Sequence, residues 1–141
     1  MCVALLGARS PVIVLDASAV LELLLGTPTG VEVSARIADA TVALHVPHLL
    51  DVEVAQVQRR YVRDAQLHPD EAAEALRDLR DLDLTRHAHE PLLDRVWTLR
   101  HNFSAYDAVY VALAEVLDAS LVTSDRRLAH APGMKGRAIL I

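Results

Sequence analysis

Apolar residues recur along this chain in two alternating patterns. Short, nearly continuous apolar runs are typical of buried strands, whereas apolar residues at every third or fourth position are typical of helices. The predicted strands are 12–16, 41–46, 83–86, 121–124 and 137–141. The predicted helices are 17–25, 31–38, 47–66, 69–82, 91–100 and 104–117. Strands that alternate with helices predict an α/β fold, in which a mostly parallel sheet carries helices on both faces.

The composition is that of a globular chain with a substantial core. Of its 141 residues, 52% are hydrophobic and 23% are charged, which is enough to fold without disulfides or structural metals. We expect one domain over 1–141, with 1–10 as a flexible N-terminal extension. The single cysteine, Cys2, excludes a disulfide framework and favours a reducing cytoplasm. No apolar run is long enough to span a membrane, so no membrane association is expected.

Four carboxylates occupy positions where a folded chain normally places apolar residues. Asp16 ends the strand-like run VIVLD, and Asp125 follows the strand-like run LVTS. Glu53 falls on the apolar face of its helix, and Asp107 lies in the almost wholly apolar stretch AYDAVYVALAEVL. Because an isolated buried carboxylate is costly, such acids indicate shifted pKa values, paired bases or a bound metal.

Each acid also has a purely structural interpretation. Asp16 and Asp125 could cap the helices that follow them. Asp107 fits a capping box that begins at Ser104, with the acid reaching back to the start of the helix. Glu53 has no capping role, and its alternative is a buried ion pair with an arginine. Taken together, the four positions favour a shared site.

The expected sheet topology allows these acids to meet. Ligands of open parallel sheets bind beyond the carboxyl ends of the strands, where the strand order reverses. Asp16 and Asp125 should share that edge, and the packed helices could bring Glu53 and Asp107 to the same crevice. A site made of carboxylate oxygens suits Mg²⁺ or Mn²⁺ rather than zinc. A divalent ion held in this way favours hydrolysis of a phosphodiester.

The overall charge of the chain is unusual for a protein that binds nucleic acid. The formal net charge is −5 at pH 7, although four of the negative charges belong to the expected site, where bound cations would invert the local field. Arginines that follow the acids along the chain could contact phosphates, or could simply form a solvated helix face. These candidates for RNA binding are Arg59, Arg60, Arg126 and Arg127.

The motifs around the acids resemble those of a known family. They read V-L-D-A-S-A at Asp16, P-H-L-L-D-V-E ending at Glu53, A-Y-D-A-V-Y-V-A-L-A at Asp107 and L-V-T-S-D-R-R-L at Asp125. This spacing resembles PIN-domain ribonucleases, specifically the VapC-type toxins of toxin–antitoxin modules. The resemblance spans nearly the whole chain, and L-R-H-N-F-S-A-Y-D-A-V-Y-V-A-L-A-E is its most specific segment.

The resemblance implies a fold, an activity and partners. It implies a three-layer α/β/α sandwich and an Mg²⁺- or Mn²⁺-dependent endoribonuclease that leaves 5′-phosphate and 3′-hydroxyl ends. The acids that match the family's metal-binding and catalytic positions are Asp16, Glu53, Asp107 and Asp125. Ser18 and Thr123 resemble accessory positions, although Ser18 could equally bond the start of its own helix. The family also implies a homodimer and a cognate antitoxin whose C-terminal segment occupies the active-site groove.

Two other functions fit parts of this pattern less well. A receiver-type regulatory domain needs an adjacent acidic pair at the first strand and a lysine near the last strand. Here no acidic pair precedes Asp16, and the only lysine is Lys135. A catalytically silent PIN-like module that only binds proteins is the closer alternative, but the presence of all four acids disfavours it.

Histidine and tryptophan add little to the site prediction. The seven histidines show no recurrent ligand spacing on one helix face, so they are interpreted as surface or loop residues. Trp97 is predicted to lie in the core, with an anchoring role in a protein interface as its alternative.

Overall fold

A computed structural model describes residues 11–141, and over this range the chain contains a five-stranded parallel sheet. The strands are β1 (Val12–Leu15), β2 (Ala43–Pro47), β3 (Thr85–His87), β4 (Ser120–Thr123) and β5 (Ala138–Leu140). Their order across the sheet is β3-β2-β1-β4-β5, so the direction of chain progress reverses between β1 and β4. The extension expected at 1–10 lies outside the described residues.

Helices connect every pair of successive strands. They are α1 (Ala17–Leu24), α2 (Pro28–Ile37), α3 (Leu49–Arg63), α4 (Pro69–Asp81), α5 (Leu93–Thr98), α6 (Ala105–Val116) and α7 (Arg126–Ala129). A 3₁₀ turn, Glu90–Leu92, leads into α5. Between residues 11 and 141 no helix is long and apolar enough to cross a membrane.

The helices form two layers on the sheet. Helix α1 contacts α2, α3 and α4, whereas α5 packs against α6, and α6 lies against β1, β2 and β4. Parallel crossovers are right-handed, so connections that run in opposite directions along a sheet place their helices on opposite faces. The connections from β1 to β3 run one way and the connection from β3 to β4 returns. The expected three-layer α/β/α sandwich is confirmed.

Helix α6 is the most deeply buried helix of the core. Seven consecutive residues, 108–114, are buried in it, because it lies between the sheet and α5. A helix that is apolar on all sides is stable only when it is enclosed in this way. Its position therefore fixes where Asp107, in its first turn, and Tyr110, one turn later, are presented to the rest of the molecule.

Helix α2 begins earlier than the apolar periodicity predicts. It starts at Pro28 rather than at residue 31, because Thr27 caps it and accepts a hydrogen bond from the Gly30 backbone N–H. Proline in the first turn has no backbone N–H to leave unsatisfied there. The earlier start brings Gly30 against α1, where a Cβ would overlap the backbone carbonyl of Glu22.

The prediction that Trp97 lies in the core is wrong. Its side chain is 69% exposed, and the guanidinium of Arg100 lies 4.6 Å from the centre of its ring. Helix α5 is short, and it buries Val96 instead. The stacked arginine stabilises the exposed indole through a cation–π contact.

Candidate active site

A cleft of about 780 Å³ opens at the carboxyl ends of β1 and β4, where the strand order reverses. This is the place where parallel sheets usually bind ligands. The four acids expected to form a site all line this cleft, and they are Asp16, Glu53, Asp107 and Asp125. Each comes from a different segment of the chain, so the cleft exists only in the folded protein.

Asp16 is the most enclosed of the four acids. Only 6% of its surface is exposed, and its backbone N–H donates to the carbonyl of Val122 in the neighbouring strand. It occupies the N-cap position of α1, yet its carboxylate makes no capping hydrogen bond. Its Oδ2 instead accepts hydrogen bonds from Ser18 Oγ at 2.7 Å and Thr123 Oγ1 at 2.9 Å. Burial raises the pKa of Asp16, and these two hydroxyls offset part of that effect.

The hydroxyls of Ser18 and Thr123 join the ends of β1 and β4. Each gives its only proton to Asp16, which leaves its oxygen able to accept. Ser18 Oγ accepts from the Ser124 backbone N–H at 3.1 Å, and Thr123 Oγ1 accepts from the Asp125 backbone N–H at 3.0 Å. The two residues expected to be accessory therefore hold Asp16 and the backbone that carries Asp125 in a fixed relation.

Glu53 projects from α3 and is half-buried in the cleft. Its Oε2 accepts a hydrogen bond from the hydroxyl of Tyr110 at 2.9 Å, and Tyr110 is only 1% exposed. Burial and the negative charges of Asp16 and Asp107 raise the pKa of Glu53 to about 7, although the tyrosine bond opposes this. Across residues 11–141 its partner is this tyrosine, and not an arginine as the structural interpretation supposed.

Asp107 lies in the first turn of α6. Its backbone N–H donates to Ser104 Oγ at 3.1 Å, which is one half of the expected capping box. The carboxylate is used differently, because its Oδ2 accepts a hydrogen bond from Arg127 Nη2 at 3.0 Å. The acidic group therefore faces the cleft rather than the start of its own helix.

Asp125 combines a structural role with a position in the cleft. Its Oδ1 accepts hydrogen bonds from the backbone N–H groups of Arg127 at 2.9 Å and Leu128 at 3.2 Å, so the capping interpretation is confirmed for this oxygen. Its Oδ2 lies 3.5 Å from Arg127 Nη2. One carboxylate oxygen thus fixes the start of α7, and the other lies beside Arg127 in the cleft.

Two of the four arginines considered for RNA binding line the cleft. Arg127 contacts Asp107 and Asp125 there, and Arg60 lines the wall formed by α3, with its guanidinium 5.6 Å from the centre of the Tyr61 ring. Arg59 and Arg126 are exposed and are not among the residues that line the cleft. Only Arg60 and Arg127 of these four line the cleft, and RNA binding by any of them stays a prediction.

The tyrosine that bonds Glu53 was not found by sequence reasoning. Tyr110 lies one turn after Asp107, and its apolar neighbours made it an ordinary core residue. Its hydroxyl meets an acid 57 positions earlier in the chain, which becomes visible only when α3 and α6 are placed in the fold. A useful signal was available, since a fully buried tyrosine usually needs a hydrogen-bond partner.

None of the described histidines lines the cleft. Two of them pair across β2 and β3, with His45 Nδ1 2.8 Å from His87 Nε2, and His89 Nε2 accepts from the Leu49 backbone N–H. Burial and the neighbouring His87 lower the pKa of His45. The interpretation of the histidines as surface or loop residues is therefore wrong for His45 and His87, which are partly buried in β2 and β3 and pair with each other.

The donor set in the cleft suits a hard divalent cation. It consists of carboxylate oxygens, and the acids lie close enough for their charges to raise the pKa of Glu53. Within the described part of the chain, no three acidic, histidine or cysteine side chains are yet close enough to enclose an ion. Arg127 is the cation that lies against Asp107 and Asp125 in this arrangement.

Comparison with known proteins agrees with this geometry. A model of the PIN domain family matches residues 13–134. VapC ribonuclease Mb0985 of Mycobacterium bovis is 46% identical over 116 residues, which is 82% of this chain and 87% of that protein. Ribonuclease VapC1 of Mycobacterium tuberculosis is 42% identical over 122 residues, which is 86% of this chain and 91% of that protein.

Two solved structures share the fold. PAE2754 from Pyrobaculum aerophilum superposes with a TM-score of 0.70 at 22% identity, covering 96% of this chain and 88% of that one. VapBC2 from Rickettsia felis, solved bound to a DNA fragment from its promoter, gives a TM-score of 0.58 at 12% identity. That match covers 92% of this chain and 97% of the other.

The sheet order, the acidic cleft and the matched span define a PIN domain. The identity to curated relatives is high and covers most of both chains. This chain belongs to the VapC ribonucleases of the PIN-domain family.

Proposed function

We propose that this protein is the toxin of a toxin–antitoxin pair and acts as an Mg²⁺- or Mn²⁺-dependent endoribonuclease. The catalytic and metal-binding residues in this proposal are Asp16, Glu53, Asp107 and Asp125. The observation that carries it is the convergence of these acids, from four separate segments, on one cleft at the reversal of strand order. Membership of the VapC ribonucleases supplies the reaction class, which is hydrolysis of RNA phosphodiester bonds.

The proposed ion would be held by the carboxylates that line the cleft. When bound, Mg²⁺ or Mn²⁺ supplies charge stabilisation at the phosphodiester and lowers the pKa of a water. Burial is the main cause of the raised pKa values of Asp16 and Glu53, and the negative charges of neighbouring acids add to it, so a bound cation would offset both costs.

Neighbouring side chains orient two of the acids for this role. Ser18 and Thr123 hold Oδ2 of Asp16, and Tyr110 holds Oε2 of Glu53. Fixed ligands lose less freedom when they bind a cation or a substrate. Without an ion the pKa of Glu53 is about 7, and a bound divalent cation would favour its ionised form, so ion binding near neutral pH should release a proton from this group.

The cleft also offers groups that suit single-stranded RNA. Arg60 and Arg127 supply positive charge among its lining residues, and Tyr61 and Tyr106 supply aromatic rings. Tyr106 is exposed, so its ring is available for stacking. Stacking on aromatic side chains and pairing with arginine are common modes of RNA recognition. We assign substrate contact to Arg60 and Arg127 rather than to Arg59 and Arg126.

The proposed partners follow from the family. A VapBC2 structure shares the fold, and we propose that this chain likewise meets a cognate antitoxin, which would cover the cleft. Exposed apolar side chains at the cleft, Val52 and Tyr106, suit such a contact. We further propose a homodimer that acts in the cytoplasm, where RNA is accessible and a lone Cys2 would stay reduced.

RNA cleavage by the purified, partner-free protein tests this function. Total RNA is incubated with Mg²⁺ or Mn²⁺, with and without chelator, and the 5′ ends of the fragments are mapped. Wild type should cleave only with metal, and Asp107→Asn should reduce the rate by about 10- to 100-fold because it removes a carboxylate proposed to hold the ion. Asp94→Asn, an exposed acid on α5, is the matched control and should cleave like wild type.

The outcome separates the nuclease from a silent binding module. If folded wild type and Asp107→Asn give the same fragments, or if cleavage persists in chelator, the proposed site is wrong. If folded wild type leaves RNA intact with either metal, the protein-binding alternative becomes the better account.

A further inference from the structure

Arg127 contacts two acids, whereas each of the other arginines that form ion pairs among residues 11–141 contacts one. A single nitrogen, Nη2, contacts Oδ2 of Asp107 at 3.0 Å and lies 3.5 Å from Oδ2 of Asp125. The side chain remains 73% exposed. Arg127 therefore neutralises two acids at once while most of its length stays in solvent.

Two other arginines of the chain form bidentate ion pairs, in which two guanidinium nitrogens bond one carboxylate. Arg86 donates two hydrogen bonds to Asp51, at 2.8 and 2.9 Å, and Arg95 donates two to Glu115, at 2.6 and 3.0 Å. Two-bonded forks of this kind are stronger and more specific than contacts through one nitrogen. An exposed arginine held by one hydrogen bond contributes little to stability, and its guanidinium readily exchanges this partner for water.

The backbone of Arg127 is held independently of its guanidinium. Its N–H donates to Asp125 Oδ1 at 2.9 Å, which fixes the start of α7. The side chain can therefore leave the acids without disturbing the helix that carries it. The oxygens it contacts belong to two acids to which we assign the divalent ion, so the guanidinium and the ion compete for the same carboxylates.

We propose that Arg127 is a displaceable counter-ion built into the site. It neutralises Asp107 and Asp125 before the divalent ion binds, leaves them when the ion arrives, and then pairs with a phosphate of the RNA in the cleft that it lines. This inference rests on the proposed function, because it assigns the same carboxylates to the ion. Loss of Arg127 should therefore strengthen metal binding and weaken RNA binding. Loss of an arginine with a purely structural role would not change these two affinities in opposite directions.

Metal titration tests the first role. Binding of Mn²⁺ is measured by calorimetry for wild type, Arg127→Gln and Arg126→Gln without RNA. Arg127→Gln should bind Mn²⁺ about two- to fivefold more tightly, since its carboxylates no longer carry a competing cation. Arg126 is the matched control, because it is adjacent, exposed and outside the cleft, and its variant should bind like wild type.

RNA kinetics at saturating Mn²⁺ test the second role. Arg127→Gln should raise KM for RNA severalfold, because a phosphate contact is lost, and Arg126→Gln should not. Unchanged or weaker Mn²⁺ binding by Arg127→Gln overturns the competition, and an unchanged KM overturns the phosphate contact. If wild type itself binds no Mn²⁺, the proposed metal site has failed. If wild type binds Mn²⁺ and Arg127→Gln binds it no more tightly, the counter-ion role is rejected but the proposed metal site is not.

Discussion

The ionisation of Glu53 links the cleft to the stability of the whole protein. Its pKa is about 7 in the folded chain, compared with an ordinary value of 4.5. Between these pH values the folded state holds a proton that the unfolded state has lost. Stability rises with pH only where the unfolded state binds more protons, so this group makes the metal-free protein less stable as pH rises through that window.

Replacing Glu53 by glutamine should remove this contribution. Glu53→Gln keeps an oxygen that can accept from Tyr110 but has no charge to bury. We expect its free energy of unfolding to rise relative to wild type as pH increases from 4.5 to about 7. Urea unfolding in chelator at several pH values measures the difference. A difference that stays constant across this range would show that Glu53 titrates normally.

Gln58 is a polar residue whose side chain lies in an apolar environment. It is 1% exposed, and neither its amide nitrogen nor its amide oxygen has a hydrogen-bond partner among residues 11–141. It continues the buried row of Leu50 and Val54 on α3. Apolar spacing does not reveal such a position, because a polar side chain in the core breaks the periodicity that locates a core.

We expect Gln58→Met to stabilise the protein by about 1 kcal/mol, because an unsatisfied amide is replaced by an apolar group of similar length. The midpoint of urea unfolding gives the change. Gln56→Met, at an exposed position of the same helix, is the control and should leave the midpoint nearly unchanged. Destabilisation by Gln58→Met alone would mean that the amide is hydrogen-bonded in solution.

At the scale of elements, the contact between α1 and α2 depends on one small residue. Gly30 is buried against α1, with no space between it and the backbone of Glu22. A backbone carbonyl cannot rotate away as a side chain can, so any added carbon forces the helices apart. Since α1 begins directly after Asp16, this packing also supports the cleft.

Gly30→Ala should destabilise the protein by at least about 2 kcal/mol through overpacking, even though alanine favours helices. Ser34→Ala, at an exposed position of the same helix, reports the helix preference alone and should be neutral or slightly stabilising. Urea unfolding of both variants measures the effect. Equal stability of Gly30→Ala and wild type would contradict the close approach of α1 and α2.

Elements were predictable where the periodicity was uninterrupted. The long apolar run of α6 and the short runs of β1 and β4 were located to within a residue or two, because burial on most sides leaves a clear signal. The start of α2 was missed because it depends on the cap at Thr27 and not on apolar spacing. Trp97 was misplaced because a large apolar residue on a short helix can face solvent when arginine covers it.

At the scale of the whole molecule, the meeting of the four acids followed from topology. Parallel strands present their carboxyl ends at one edge, so Asp16 and Asp125 were expected to share that edge, and packed helices could bring Glu53 and Asp107 to it. That Asp16 and Asp125 are neighbours depends on the pairing of β1 with β4, which only the structure shows. The finer contacts could not be foreseen. The hydroxyl of Thr123 and the carboxylate of Asp16 are 107 positions apart, and the contacts of Arg127 depend on one side-chain rotamer.

The central claim is that these four carboxylates together hold the catalytic divalent ion. Anomalous diffraction from crystals soaked in Mn²⁺ tests it most directly, because the signal reports the position of the metal itself. We expect a peak in the cleft, within bonding distance of oxygens from Asp16, Glu53, Asp107 and Asp125 or of waters that they hold. A peak elsewhere, or an empty cleft at millimolar Mn²⁺ with the acids in place, would contradict it.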